Sequence, residues 1–347
     1  MEIAAFAAHG PGQPLERFAY RPEPLGPQDV EVQIEFCGIC HSDVHLIDND
    51  WGISQYPLVP GHEIVGVVSA RGEAVAHLEV GQRVGIGWLR GACLHCEWCL
   101  RGEENVCPER QATCVGHYGG FARAIRVHSR FAFPLPDGLE PAAAAPLLCA
   151  GITVYSPLRQ AWQGHPLRVG VVGLGGLGHL AVKFARAFGS EVTVFSSRQE
   201  KQAEAERLGA HHFLSSTDPA QIQKAAGRLD LIIATVHVPL AWEAFVNCLR
   251  PKGTLCLLSG LAGTLNIAAG QLMEGHRTVK GSTVGNCWQT REMLQFAAWN
   301  GIQPEIEIFP AGRINEAIQR VRENAVHFRA VVDFRQAFNE SRAADPR

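Results

Sequence analysis

The stretch Val169-Gly170-Val171-Val172-Gly173-Leu174-Gly175-Gly176-Leu177-Gly178 closes an apolar run and opens an amphipathic one, placing G-x-G-x-x-G at Gly173, Gly175 and Gly178. Glycines at this spacing serve a tight turn, a close backbone approach to a pyrophosphate, and close packing of helix on strand, with the helix N-terminus facing the phosphate charge. Glycine-rich turns are common, so the motif alone is weak; its strand-turn-helix setting is what makes it read as a dinucleotide loop.

From about Gly151 onward, apolar β-branched runs alternate with helical stretches. Strands are expected over 167–172, 191–195, 229–234 and 253–258, and helices over 176–188, 201–208 and 240–249. Such alternation predicts an α/β, doubly wound parallel sheet. The strand over 191–195 leads into Ser196-Ser197-Arg198, with Lys201 one turn further on, where an NAD site would carry an acid; Glu191 stands at the wrong end of the strand. Hydroxyls and cations suit a 2′-phosphate, so NADP(H) is expected in preference to NAD(H).

Residues 1–150 have a different texture, dense in Gly and Pro with short alternating runs at 30–34 and 81–86, which predicts a mostly β domain. Beyond Gly285, two amphipathic helices (290–300 and 314–324) and an apolar strand (330–334) are too few for a separate core. The tail should therefore rejoin the first domain, giving a β-rich domain over 1–150 and 284–347 interrupted by an α/β domain over 151–283.

The size of 347 residues suits two domains. A net charge of -3 offers no field for a polyanion, so nucleic acid is not expected as a partner. The N-terminus lacks a basic region before an apolar one, and no apolar run nears the length of a membrane span. A soluble cytoplasmic protein with reduced thiols is expected, and its 11 cysteines, an odd number, call for a reason other than disulfides.

Four of them, Cys93, Cys96, Cys99 and Cys107, fall within fifteen residues of a polar loop. That density fits a closed tetrahedral zinc site stabilising a lobe (91–108) too small for its own core, in preference to an iron-sulfur cluster or four free thiols. Cys114 has no spacing partner and reads as a buried thiol. A second set is dispersed: Cys37-Gly38-Ile39-Cys40-His41-Ser42-Asp43-Val44-His45, Gly61-His62-Glu63, and Cys149. Cys, His and Cys from separate segments are what a catalytic zinc with an open fourth position requires. Singly, each has an ordinary reading: Cys37 and Cys40 as a redox pair, His62 as a turn histidine, Cys149 as a packed thiol.

Taken together, these segments resemble the zinc-dependent medium-chain alcohol dehydrogenases. The similarity runs from about Val30 to Phe334 and is strongest to the branch of cinnamyl alcohol dehydrogenases and bacterial NADPH-dependent aldehyde reductases. The carrying residues are Cys37 to His45, Asn49-Asp50-Trp51-Gly52, Tyr56 to Gly66, the four-cysteine lobe, Ala150 to Tyr155 and the glycine loop. The resemblance implies a GroES-like catalytic domain and a Rossmann coenzyme domain, with the active site in the cleft between them. It implies Cys40, His62 and Cys149 as catalytic zinc ligands, Glu63 as an occasional fourth, and Cys37 as no ligand. It further implies Ser42 and His45 as a proton relay, Asp43 as the carboxylate orienting His62, and Thr153 beside the nicotinamide. Gly173, Leu174, Gly175, Gly176, Leu177 and Gly178 form the coenzyme loop, and Thr235, Val236, Gly260 and Ser282 fall where coenzyme contacts lie.

The chemistry implied is hydride transfer between a nicotinamide and an alcohol or aldehyde carbon, with a Lewis-acid metal at the oxygen. An NAD-dependent enzyme of the same fold is the nearest alternative. A metal-free quinone or enoyl reductase is disfavoured because all three zinc positions are filled, and a zinc-ribbon module for nucleic acid is opposed by Glu97, Glu103 and Glu104 in the lobe. Trp51, Trp88 and Trp288 read either as an aromatic pocket or as packing, and the His117-Tyr118 pair departs from the plant enzymes' pattern, which leaves a broad aldehyde reductase. The resemblance implies a homodimer, with a homotetramer as the alternative, pairing through the Rossmann sheet edge near Leu265 to Ala268.

Overall fold

The computed structural model describes residues 2–259 and 264–338. By its contacts the chain divides into two units, one made of 1–149 with 286–347 and the other of 150–285.

In the first unit an 11-residue strand, Asp29–Ile39, buries Val30, Val32, Ile34 and Phe36 at alternate positions, the pattern of a strand lying on a core. It is central to a seven-stranded sheet ordered Ile306–Pro310, Arg329–Asp333, Asp29–Ile39, Glu63–Arg71, Arg83–Ile86 and Ala132–Pro134, with Ala124–His128 also paired to Asp29–Ile39. The chain's last described strand, Arg329–Asp333, runs antiparallel to Asp29–Ile39, setting Val332 opposite Cys37. Helix His41–Asp48 follows the central strand directly and ends at Asn49, whose left-handed φ of 59° is of a kind asparagine tolerates.

The second unit holds a six-stranded, wholly parallel sheet ordered His212–Ser215, Glu191–Ser196, Arg168–Val172, Leu229–Ala234, Leu249–Leu257 and Thr278–Gly281. The chain winds outward from Arg168–Val172 to one edge and then returns to its other side. The topological switch point, where α/β sheets bind ligands, therefore lies at the carboxyl end of Arg168–Val172, where the glycine loop begins. Apolar runs such as Leu231-Ile232-Ile233-Ala234 are buried throughout, as a strand covered on both faces requires. Phe195 and Phe245 meet edge to face with ring centroids 5.3 Å apart.

The structure corrects three expectations. Two strands, His212–Ser215 and Thr278–Gly281, carry too little β-branched alternation to be read from sequence and form the sheet's edges. The expected pairing edge at Leu265 to Ala268 belongs to no strand. Finally, Pro141–Ala161 is one helical stretch of 21 residues, long and apolar enough by composition to cross a membrane, yet it is mostly buried, as a core helix is. Pro146, Gly151 and Pro157 break up its apolar pattern in the sequence, and the chain passes through a π-helical turn at Leu147–Gly151.

Candidate active site

Cys149 sits in that π-helical turn. Its sulfur lies 3.3 Å from His62 Nε2, and the ligand atoms of Cys40, His62, Glu63 and Cys149 all lie within 4.8 Å of one another. Cys40 precedes helix His41–Asp48 and His62 precedes strand Glu63–Arg71, so turns and element ends present the donors. Asp43 organises the group. Its Oδ1 accepts from the Gly61 N–H at 2.9 Å and lies 2.9 Å from His62 Nδ1, while its Oδ2 accepts from the Cys40 N–H at 2.9 Å. With Nδ1 turned to the carboxylate, Nε2 is the ring nitrogen that faces the Cys149 sulfur and would ligate a metal there.

Asp43, His62 and Glu63 are fully buried. Hydrogen bonding to Cys149 and to His62 draws Cys40 well below the ordinary thiol range, while the same bond and burial push Cys149 well above it, and Asp43 and Cys149, against burial, hold His62 above the usual imidazole range. Glu63 Oε1 accepts from Arg329, while its Oε2 has no hydrogen-bond partner among the described residues. Burial pushes Glu63 up to about 7 against the pull of Arg329. A buried, orphaned carboxylate oxygen beside two thiols and an imidazole suits a divalent cation.

Arg329 was not identified from the sequence. Its signal was a lone charge opening the buried run Ala330-Val331-Val332. Gly38 makes the room: a Cβ there would stand 2.0 Å from Glu63 Oε2 and 3.0 Å from its Cβ. Gly38→Ala is therefore expected to displace Glu63 and to lower stability by about 1–3 kcal/mol through overpacking. Thermal unfolding checks this, and an unchanged Tm contradicts it.

Ser42 and His45 lie half-buried on the same helix, Ser42 Oγ 3.7 Å from Cys40 Sγ and His45 Nδ1 2.7 Å from Asp50 Oδ2. Trp88 meets the His62 ring edge-on at 4.9 Å, and Trp51 lies 6.3 Å from Trp88 and 5.3 Å from His45. Trp288 does not join them; it is exposed and borders a separate cavity. Cys37 stands apart from the cluster, its buried thiol donating to the Gly38 carbonyl. Cys114 is buried as expected, but its sulfur lies beside Asp43 and His62, a proximity that spacing did not reveal.

In the loop that follows, Tyr118 packs on Tyr20 with centroids 4.3 Å apart, and His117 Nδ1 lies 3.1 Å from the Thr113 carbonyl. Burial, aided by Arg90, pushes His117 down from its ordinary 6.5 to about 4. Between those values the unfolded chain binds a proton that the folded chain refuses, so stability falls as pH falls through this window, by up to about 3 kcal/mol. A His117→Gln variant should show a shallower decline of Tm over the same window, and an identical decline would exclude His117 as a cause.

In the four-cysteine lobe, Cys93 and Cys99 sulfurs are 3.9 Å apart, Cys96 and Cys107 3.8 Å, and Cys93 and Cys107 3.6 Å. Disulfides need about 2.05 Å, whereas a tetrahedron of sulfurs around zinc at about 2.3 Å has edges of about 3.8 Å. The lobe thus fits a closed zinc site. Backbone N–H groups of His95 and Cys96 hold Cys93 down to about 6, ready to ligate as thiolate.

At the glycine loop, Gly173 has φ +95°, and a Cβ on Gly178 would stand 2.0 Å from the Gly173 carbonyl oxygen, so turn and helix can pack only with glycine there. A Cβ on Gly175 would meet nothing within 4 Å, leaving its backbone open to a ligand. Thr235 Oγ1 donates to the Val172 carbonyl at 2.9 Å, and Lys201 Nζ donates to the Leu174 carbonyl at 2.6 Å. Ser196, Ser197, Arg198 and Lys201 are thereby gathered around the carboxyl end of the second strand, with Ser196 Oγ accepting from the Arg198 N–H. Glu191, at the other end, is 2.8 Å from His212 and 3.6 Å from Arg168. Thr153 is buried in helix Ile152–Ala161, and the Ser282 N–H donates to the Leu257 carbonyl. Gly260 lies outside the described residues.

Comparison with known proteins agrees with this geometry. Residues 26–137 match the family described as alcohol dehydrogenase GroES-like domain, and residues 176–299 match zinc-binding dehydrogenase. Aldehyde reductase AdhA of Synechocystis sp. is 44% identical over 330 residues, covering 95% of this chain and 98% of that protein. The cinnamyl alcohol dehydrogenase SbCAD4 of Sorghum bicolor superposes with a TM-score of 0.92 at 40% identity, covering 96% of this chain and 98% of that one. A cinnamyl alcohol dehydrogenase of Helicobacter pylori complexed with NADP(H) gives 0.88 at 32% identity, covering 97% and 99%. With two cysteine-bearing donor clusters that fit zinc and a glycine loop at the switch point of a parallel sheet, the chain belongs to the GroES-like, zinc-binding alcohol dehydrogenases, oxidoreductases acting on CH–OH groups.

Proposed function

We propose that the chain is an NADP(H)-dependent aldehyde reductase of broad range, active also in the alcohol-oxidising direction. The observation that carries this reading is the buried Cys40–His62–Cys149 set, with its imidazole fixed by Asp43, in a chain that also bears the glycine loop and the Ser196-Ser197-Arg198 turn. Zinc held by these residues supplies Lewis acidity at the substrate oxygen, and the nicotinamide supplies or accepts hydride.

The remaining work falls to the chain's own groups. Asp43 fixes the His62 tautomer, and Glu63 is held in reserve by Arg329 as an occasional fourth donor. Ser42, close to Cys40, exchanges the proton of the substrate oxygen, and His45, half-exposed and paired with Asp50, passes it toward solvent. Thr153 lines the nicotinamide, Gly173 to Gly178 take the pyrophosphate, and Thr235, Val236 and Ser282 complete the coenzyme contacts.

Trp88 beside His62, with Trp51 against Trp88, supports planar and aromatic aldehydes together with short aliphatic ones. A homodimer is supported by the open Thr278–Gly281 edge, with a homotetramer as the alternative, and a cytoplasmic setting suits thiolate clusters that must stay reduced.

Coenzyme choice rests on Arg198 and Lys201, since the Helicobacter relative's complex with NADP(H) speaks of that protein. Comparing kcat/KM for NADPH and NADH on one aldehyde tests it. A preference for NADPH of at least tenfold is expected, reduced in Arg198→Ala with the NADH value little changed. A preference for NADH overturns the assignment.

A further inference from the structure

A cavity of about 510 Å3 opens in the first unit and shares no lining residue with the Cys40–His62–Cys149 set. Its wall joins Leu94 of the four-cysteine lobe, Arg130 after strand Ala124–His128, and Trp288 and Arg291 from the first turns of helix Cys287–Trp299. His77 and His128 complete the polar side, and His128 Nδ1 accepts from the Arg130 N–H, as a neutral imidazole does.

The charges around it do not balance. Glu104, buried behind the wall, accepts from Arg130 Nε at 2.9 Å and from its Nη2, and its second oxygen accepts from the Cys287 N–H at 3.4 Å. That carboxylate is fully engaged by one guanidinium and one helix terminus. Arg291 has no carboxylate partner among the described residues; its guanidinium lies over the Phe133 ring, 5.4 Å from the centroid. Burial and the neighbouring Arg130 both weigh against its charge. The imidazoles are taken up by neutral groups, His77 Nε2 lying 3.3 Å from the Ser129 carbonyl and His128 Nε2 2.8 Å from Gln28 Oε1. Two guanidiniums therefore flank the space, of which Glu104 answers only that of Arg130, while Asp29 stands near His128 outside the lining.

The apolar side is equally distinctive. Trp288 is 71% exposed, and Leu94 and Ala74 line the same cavity. Leu94 lies in the left-handed region at φ +62°. An inorganic anion would leave the indole and Leu94 in water, and a neutral apolar ligand would leave Arg291 unanswered. A planar guanidinium beside an exposed indole answers a group that combines a carboxylate with a ring.

We propose that this cavity is a second ligand site, specific for planar aromatic carboxylates, with the carboxylate on Arg291 and the ring against Trp288 and Leu94. The volume is in the range of small-molecule sites and admits a ring with its carboxylate. The site is independent of the hydride-transfer chemistry, since none of its residues belongs to the catalytic or coenzyme machinery.

Isothermal titration calorimetry of the zinc-loaded enzyme with benzoate, benzamide and inorganic phosphate tests it. Benzoate should bind saturably at one site, with benzamide and phosphate at least tenfold weaker. Arg291→Gln should weaken benzoate at least tenfold and Trp288→Ala several-fold, both with aldehyde kcat/KM unchanged. Trp288 is exposed, so its variant keeps the test open if Arg291→Gln folds poorly. Three results overturn the proposal: no saturable binding of benzoate below about 10 mM, phosphate binding as tightly as benzoate, or benzoate binding that is competitive with aldehyde and unchanged in both variants.

Discussion

His62→Ala should release one of two zinc equivalents per chain and lower kcat/KM for aldehyde reduction by at least about a thousandfold. The reasoning starts from the hydrogen bonds. His62 lies between Asp43 at Nδ1 and Cys149 at Nε2, in a region closed to solvent. Removing the ring deletes one donor, leaving two sulfurs, too few for a zinc site, and strands the Asp43 carboxylate with two backbone N–H groups. A buried charge that loses its partner costs about 3–5 kcal/mol, so Tm should fall as well.

Asp43→Asn separates orientation from ligation. It keeps the donor set and removes the charge behind it, so zinc affinity should drop about 10–100-fold while some activity survives at high zinc. Full activity in His62→Ala with one zinc per chain would rule out this set as the reaction centre.

The second large effect is expected in the lobe. Cys107→Ser should lose the other zinc equivalent and lower Tm, while initial aldehyde turnover of the surviving folded enzyme stays within a few-fold of the parent. The segment has almost no core of its own: Cys99, Cys107 and Glu104 are buried, but Trp98, Leu100 and Val106 are exposed. Metal binding is therefore its main source of order, and structural zinc in comparable small sites contributes on the order of 10 kcal/mol. Limited proteolysis should cut between residues 91 and 108 in the variant and spare the parent. Equal Tm and two retained zinc equivalents would show that the thiols do not form a metal site.

How far the sequence reached can be followed residue by residue. The strand Leu229–Ala234 and the turn at Gly173 were legible because apolar runs and fixed glycine spacings have few other physical uses. Cys93, Cys96, Cys99 and Cys107 were legible for the same reason, as close spacing in the chain forces closeness in space. The set around His62 was legible as a Cys-His-Cys combination, but the choice of Cys40 over Cys37 came through resemblance, because the three come from separate elements and each has an ordinary reading alone.

What stayed hidden depends on long-range pairing. Arg329 reaches Glu63 across 266 positions of sequence, and nothing local in either segment announces the other. Cys114 approaches His62 for the same reason. The edge strands were missed because edges need less apolar alternation than central strands. Trp288 was grouped with Trp51 and Trp88 by residue type alone, and the fold separates it from them by placing it on helix Cys287–Trp299.

Two zinc sites, one of them catalytic, are expected to serve a hydride transfer with NADPH. Metal analysis and an NADPH-oxidation assay over aliphatic, aromatic and cinnamyl aldehydes, made on the same purified sample, test it most directly. Two zinc atoms per chain together with aldehyde-dependent NADPH oxidation, lost when a chelator strips the catalytic metal and regained with added zinc, is the predicted result. Protein that contains no zinc yet reduces aldehydes at full rate would exclude a catalytic role for the Cys40–His62–Cys149 site.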